Sequence, residues 1–297
     1  MITSCIRRHI EAALMRRRRR TRLYVKESFD APTKMGRRRR LGMKAQPSRT
    51  TYLRGLGSGC ALLMACAQPA RAMHISEGIL PFPWALFWFC VAAPFLAVGL
   101  RRLAAASKDD LSFKPLVGFM AAVVFIISCI PLPVPTVGTC SHPCGTAISA
   151  ILLGPAISVL VAAVALLIQA LFLAHGGLST LGANIVSMGI VGSFSGFLMF
   201  RLMRACGAGL PVACFAAGVA ADWLTYLATS FILASALKGS EPLMPLLIKI
   251  SMAFVPTQLP IGFLEGAMTA GMVMLLQKKR PDLLVKMKVL KTGEVAP

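Results

Sequence analysis

The sequence predicts an all-α membrane protein of about seven transmembrane helices, one of them short, with an outward-facing loop and the N-terminus folded into the bundle. Three observations predict it. Hydrophobic residues make up 56% of the chain against 14% charged, a balance that few soluble domains of this length tolerate. Seven apolar stretches follow residue 73, at 80–100, 115–133, 142–153, 156–174, 185–204, 211–237 and 256–277. The formal charge of +21 lies mostly ahead of them, since residues 1–72 hold 18 Lys and Arg against 3 acids. The basicity therefore belongs to a leader and not to the apolar body.

The leader reads in two parts. Residues 16–20 and 37–40 are arginine runs with no aromatic interleaving and no nucleic-acid fold signature, so no nucleic-acid partner is expected. Residues 44–54 form a basic n-region, 55–67 an apolar stretch too short to span, and Ala70-Arg71-Ala72 a small-x-small peptidase site. Met35 and Met43 are alternative starts, because everything before Met43 is surplus to a bacterial-type signal. Leu63-Met64-Ala65-Cys66 resembles a lipoprotein processing site and competes with the Ala72 cut; it would lipidate Cys66 and leave Met73 internal. The expected organisation is a leader with a cleavable signal peptide over 1–72, a multi-span domain over 73–277 and a basic cytoplasmic tail over 278–297.

Direction follows from cleavage and charge. A cut after Ala72 puts Met73 outside, and an odd number of passes leaves the C-terminus in the cytoplasm of a bacterium, with the chain in its inner membrane. Lys278, Lys279, Arg280, Lys286, Lys288 and Lys291 make that end basic. Arg101, Arg102, Lys108 and Lys114 fall in the first inner loop; Arg201 and Arg204 end the fifth pass inside only if 142–153 is a pass of its own. A helix of about twelve residues rises ~18 Å of a ~30 Å hydrocarbon core. The irregular segment 131–141 ahead of it must then dip into the membrane, which requires enclosure by protein or a polar cavity. The turn Gly154-Pro155 separates the short pass from the fourth. In the later passes Asp222 and Glu265 are read as acids bonded to neighbouring helices, a transport role being the alternative. Ala93-x-x-x-Ala97 and Gly192-x-x-x-Gly196 are small-residue faces, the first a candidate docking surface for a partner subunit.

The chemistry gathers at the cleaved terminus. A chain beginning Met73-His74 offers a free amine, the His74 amide nitrogen and the His74 imidazole as three corners of a square plane. One further imidazole completes four nitrogens, a set that suits Ni(II), Cu(II) or low-spin Co(II) and not tetrahedral zinc. His142 is the candidate for that corner, and the affinity of such a site falls with pH because its donors must lose protons. His175 reads either as a turn residue bonded to a backbone carbonyl or as a residue that supports or admits the ion. Ser141 and Asn184 are candidates to orient an imidazole. The nine cysteines show no paired zinc-type spacing, so no disulfide framework is expected. For Cys140 and Cys144, which flank His142, loop packing and a disulfide or soft-metal role both stay open.

Four ordered motifs carry a resemblance: Met73-His74-Ile75 followed by Glu77-Gly78; Gly138-Thr139-Cys140-Ser141-His142-Pro143-x-Gly145-Thr146; Ile151-Leu152-Leu153-Gly154-Pro155; and His175-Gly176-Gly177-Leu178-x-x-Leu181-Gly182-Ala183-Asn184-x-x-x-Met188. Together they resemble the substrate-capture membrane subunit of cobalt/nickel energy-coupling-factor transporters, the CbiM/NikM family. The resemblance implies that Met73, His74 and His142 hold the ion. It implies a transmembrane coupling subunit and cytoplasmic ATPase subunits as partners, with a small accessory membrane subunit as a further candidate. It makes Co(II) or Ni(II) the transported ion, the Thr-Cys-Ser-His-Pro form of the loop looking more like cobalt-type relatives. Ser76 and Glu77 stand where many relatives have Pro and Asp, which leaves open how the first turn is held. The chain contains no Gly-x-x-x-x-Gly-Lys-Ser/Thr loop, so it is read as a transporter subunit without its own ATPase and not as an enzyme. A membrane metalloenzyme, or a metal-ion channel uncoupled from an ATPase, is the alternative.

Overall fold

Seven helical passes in sequence order build the described part of the chain, and their lengths follow from where apolar runs meet Pro, Gly and charge. The computed structural model describes residues 71–72, 74–130, 132–134 and 139–290, all within one unit, Met64–Pro297. The leader with Met35, Met43 and Cys66, the residue Met73 and the tail from Lys291 lie outside the described residues.

The helices are α1 (Phe82–Asp109), α2 (Phe113–Ser128), α3 (Thr146–Leu153), α4 (Pro155–Phe172), α5 (Leu181–Ala205), α6 (Leu210–Leu237), α7 (Leu243–Lys279) and a short terminal α8 (Pro281–Lys286). Five of them, α1 and α4 to α7, are long and apolar enough to cross a membrane, and α2 is a shorter apolar helix. Pro81 at the N-cap of α1 and Pro at the starts of α4, α6 and α8 fall where a missing N–H costs nothing. The third pass is shorter than the sequence suggested: α3 has 8 residues, a rise of ~12 Å. Gly154 ends it and Pro155 starts α4 directly, the expected break.

Two boundaries moved. α1 continues past residue 100 to Asp109, because Arg101, Arg102 and Lys108 prolong a helix as readily as leucine once outside the apolar layer. α7 begins at Leu243 and not near residue 256; it runs through Pro256 and Pro260, where Trp223 Nε1 of α6 donates to the Gln258 carbonyl at 3.0 Å. Fully buried residues in α7 start at Gln258; the turns ahead of it are half-exposed, with Phe254 packed against the core and 5.8 Å from the Tyr226 ring. Three strands of two or three residues, unforeseen in an all-helical reading, form a sheet β1–β3–β2: Arg71–Ala72 lies parallel to Thr139–Ser141, which is antiparallel to Leu132–Val134.

Alternation of the passes places the ends of α1, α5 and α7 together. Lys286 of α8 meets Asp110, at the end of α1, at 2.5 Å, and with Ser112 it holds that carboxyl down to about 2. The irregular segments carrying His74, His142 and His175 lie at the opposite end. α5 is π-helical over Ile185–Gly192, a local widening that often marks a functional region.

The Gly192-x-x-x-Gly196 face brings α5 onto α3 and α6. A Cβ at Gly192 would stand 2.6 Å from Thr225 Oγ1 and 2.8 Å from Thr146 Oγ1, and one at Gly196 3.1 Å from the Ala221 side chain. Gly192→Leu is therefore expected to destabilise the bundle by about 1–3 kcal/mol, read as a lowered thermal midpoint in detergent. Leu198→Ile, at an exposed position of the same helix, should leave the midpoint in place.

Candidate metal centre

Three imidazoles from distant parts of the chain meet at the end of the bundle away from the Lys286–Asp110 pair. His74 precedes α1, His142 lies between β3 and α3, and His175 follows α4. Their ligand nitrogens all lie within 4.8 Å of one another. Ring centroids are 4.7 Å apart for His74 and His142, and 5.1 Å from each of these to His175. His74 and His142 are buried and His175 is partly exposed. The whole sequence has four histidines, so this convergence uses all of them except His9 of the leader.

For His74 and His142, hydrogen bonds select which ring nitrogen can bind an ion. Gln169 of α4 donates its amide to Ser128 Oγ at 2.8 Å, which turns its carbonyl oxygen toward His74 Nε2, 3.1 Å away. Nε2 must carry the proton to make that bond, so the lone pair of His74 is on Nδ1. Nδ1 is also the nitrogen that closes a six-membered chelate ring with the residue's own amide. His142 donates from Nδ1 to the Pro143 carbonyl at 3.0 Å, which leaves its lone pair on Nε2. Burial pushes the third ring, His175, below the ordinary imidazole value toward its neutral, ligating form. Its Nε2 has no hydrogen-bond partner among the described residues.

The main chain beside His74 is held as firmly as the ring. Asn184 at the start of α5 accepts from Ile75 N at 3.0 Å and donates to Ile75 O at 3.2 Å, and Thr180 Oγ1 donates to the same carbonyl at 2.5 Å. Asn184 thus positions the segment through its backbone; the ring's own partner is Gln169, which the sequence reading missed. The signal was slight, since Gln169 is one of two polar residues in an apolar pass with its partners 41 and 95 residues away. Gly176 and Gly177 let the loop after α4 close over this segment. Gly176 has φ +83°, and a Cβ at Gly177 would stand 2.6 Å from the Glu77 backbone. Glu77 accepts from Ser179 N at 3.1 Å, bonds that hold its carboxyl below the usual range, so the first turn is pinned without the relatives' Pro-Asp pair.

Around His142, Ser141 Oγ meets Tyr226 Oη at 3.1 Å and accepts from Gln258 Nε2. Tyr226 also reaches the His142 carbonyl at 3.4 Å. Glu265 accepts from the Cys144 and Gly145 amides, and the Cys144 thiol points at Asp222 Oδ1 at 4.0 Å. Cys144 is a buried free thiol. Ala93 and Ala97 are exposed on α1, a helix with few buried residues.

A bundle of apolar helices in which three histidines from distant parts of the chain converge defines a multi-pass membrane protein with a candidate metal centre. Comparison places it more narrowly. The family described as the cobalt uptake substrate-specific transmembrane region, CbiM, matches residues 74–283, and the chain belongs to this cobalt transport family. It is 68% identical over 237 residues to a cobalt transport protein CbiM of Geobacter sulfurreducens, covering 80% of this chain and 68% of that one. Against a cobalt transport protein CbiM of Sorangium cellulosum the identity is 53% over 219 residues, covering 74% and 97%. A crystal structure of a truncated transition metal transporter superposes with TM-score 0.62 at 26% identity, covering 70% of this chain and 99% of that one.

Gln169→Leu keeps the side chain's bulk and removes the acceptor that selects the Nδ1 lone pair of His74. It is expected to weaken Co(II) or Ni(II) binding by about 10–100-fold while the protein still elutes as a folded species, as measured by calorimetric titration of the mature chain.

Proposed function

We propose that this protein is the ion-specific membrane subunit of an ATP-driven importer of Co(II) or Ni(II). The ion is held by the Met73 amine, the His74 amide nitrogen, His74 Nδ1 and His142 Nε2. Cleavage after Ala72 creates the first of these donors, and the 1–72 segment serves only to deliver and liberate the terminus. The observation that carries the reading is the meeting of His74 and His142 with their ligating nitrogens selected by Gln169 and Pro143. Neutral, buried, pre-oriented nitrogens are what a planar four-nitrogen site needs before the ion arrives. His175 stands beside the plane, where it can receive the ion from outside or cover it. Family membership makes cobalt the favoured ion.

The mature N-terminus faces outward and the basic end faces the cytoplasm. A transmembrane coupling subunit and cytoplasmic ATPases supply the energy, with a small accessory membrane subunit joining the complex; the exposed Ala93 and Ala97 face of α1 is where a partner helix approaches. Asymmetry favours this over a metalloenzyme, because the proposed plane has no open position for a substrate and no general base stands at it.

One extra alanine between Ala72 and Met73 moves the amine out of chelating reach while leaving the fold untouched. Cobalt affinity should then fall by more than the ~100-fold typical of changes behind the ligands, and His142→Ala should also weaken binding sharply. In the unaltered mature protein affinity should drop by about tenfold or more per pH unit below neutrality, since the amine and amide lose protons as the ion binds. Equilibrium dialysis across pH reads both, and a pH-independent affinity would contradict the chelate. Coupling is tested by ion uptake into vesicles: accumulation should require the ATPase subunits, and full accumulation by this subunit alone would remove the coupled reading.

A further inference from the structure

Nothing in the chelate itself explains why the last pass buries the two large polar side chains Gln258 and Glu265. They are seven residues apart, two helical turns, so they face the same side of α7 about 10.5 Å apart along its axis. Both reach the loop that carries His142. Gln258 donates to Ser141 Oγ, the residue before the histidine. Glu265 accepts from Cys144 N at 2.5 Å through Oε2 and from Gly145 N at 3.0 Å through Oε1. Three extended residues cover ~10 Å, so the loop from 141 to 144 runs alongside two turns of α7 in matching register.

The bracketing is tight. Only Pro143 separates His142 from the amides held by Glu265, and its ring fixes φ there. The His142 ring is tied to that same proline through its carbonyl. A carboxylate using both oxygens on two successive N–H groups sets the orientation of the peptide as well as its place, and it faces the N-terminus of α3, where negative charge is favoured. Tyr226 of α6 supports the other flank through Ser141 and the His142 carbonyl.

Resting on the ligand set proposed above, we infer that Glu265 and Gln258 are positioning residues for His142, so that α7 sets where the fourth nitrogen of the site stands. They touch no ion. Their effect is on the geometry and residence of the ion, and any displacement of α7 against α3 and α4 moves His142 away from the N-terminal donors, which are held separately by Gln169 and Asn184.

The test uses the mature chain beginning at Met73, in detergent, with Ni(II) as probe, comparing wild type, Glu265→Gln, Ser141→Ala, His142→Ala and Asp110→Asn. Glutamine at 265 keeps the shape but sets an amide donor against one of the two N–H groups. Expected for Glu265→Gln and Ser141→Ala are a Ni(II) dissociation rate raised about tenfold or more and a shifted ligand-field absorption band, with helical circular dichroism retained. Asp110→Asn, at the far end, should match wild type. A release rate within twofold of wild type with an unchanged band in folded Glu265→Gln and Ser141→Ala overturns the inference. Should Glu265→Gln fail to fold, Ser141→Ala decides alone. His142→Ala separates the two levels: if it binds Ni(II) as wild type does, the ligand set itself has failed; if it loses the ion while the other two variants keep it, only the positioning role has failed.

Discussion

Irregular backbone inside an apolar bundle must have its N–H and C=O groups answered by protein, because no water is there to answer them. This constraint shapes the structure more than any other. His74 with Ile75 and the loop from Ser141 to Gly145 are both non-helical and buried, and side chains of the helices and of Thr180 meet their main-chain atoms: Asn184 and Thr180 at Ile75, Tyr226 at His142, Glu265 at Cys144 and Gly145. Buried polar groups left unmatched would each cost on the order of 1–3 kcal/mol, so these residues are needed for the loops to enter at all. Once they are there, the two histidines have few places to go.

The two sides of the site are held by different helices. His74 and its neighbour depend on α2, α4 and α5, through Ser128, Gln169, Thr180 and Asn184. His142 depends on α6 and α7. On the proposed ligand set, an ion between them would bridge two groups of helices, and separation of those groups would be a route to release.

Much of this was legible in the chain, and the remainder was hidden for a common reason. Hydropathy located seven passes, and Gly154-Pro155 located the break after the short one, because both signals are local. The positions of His74 and His142 could be singled out from the chemistry of a cleaved Met-His terminus and from a loop motif. Gln169 and Gln258 gave no such signal, and Glu265 was singled out as a buried acid without its partners; the meaning of each lies in residues roughly 40 to 120 positions away. Asn184 was picked out for its type, but its target was the backbone of Ile75 and not a ring. The early start of α7 was illegible because Pro256 and Pro260 read as a helix start, whereas the helix runs through both.

The account stands on a planar set of four nitrogens drawn from the new terminus and the loop histidine. X-ray absorption of the cobalt- or nickel-loaded mature protein examines that set directly. Four nitrogen neighbours with the pre-edge signature of a square plane are the expected result; a six-coordinate, oxygen-dominated shell, or a sulfur neighbour from Cys144, would contradict it.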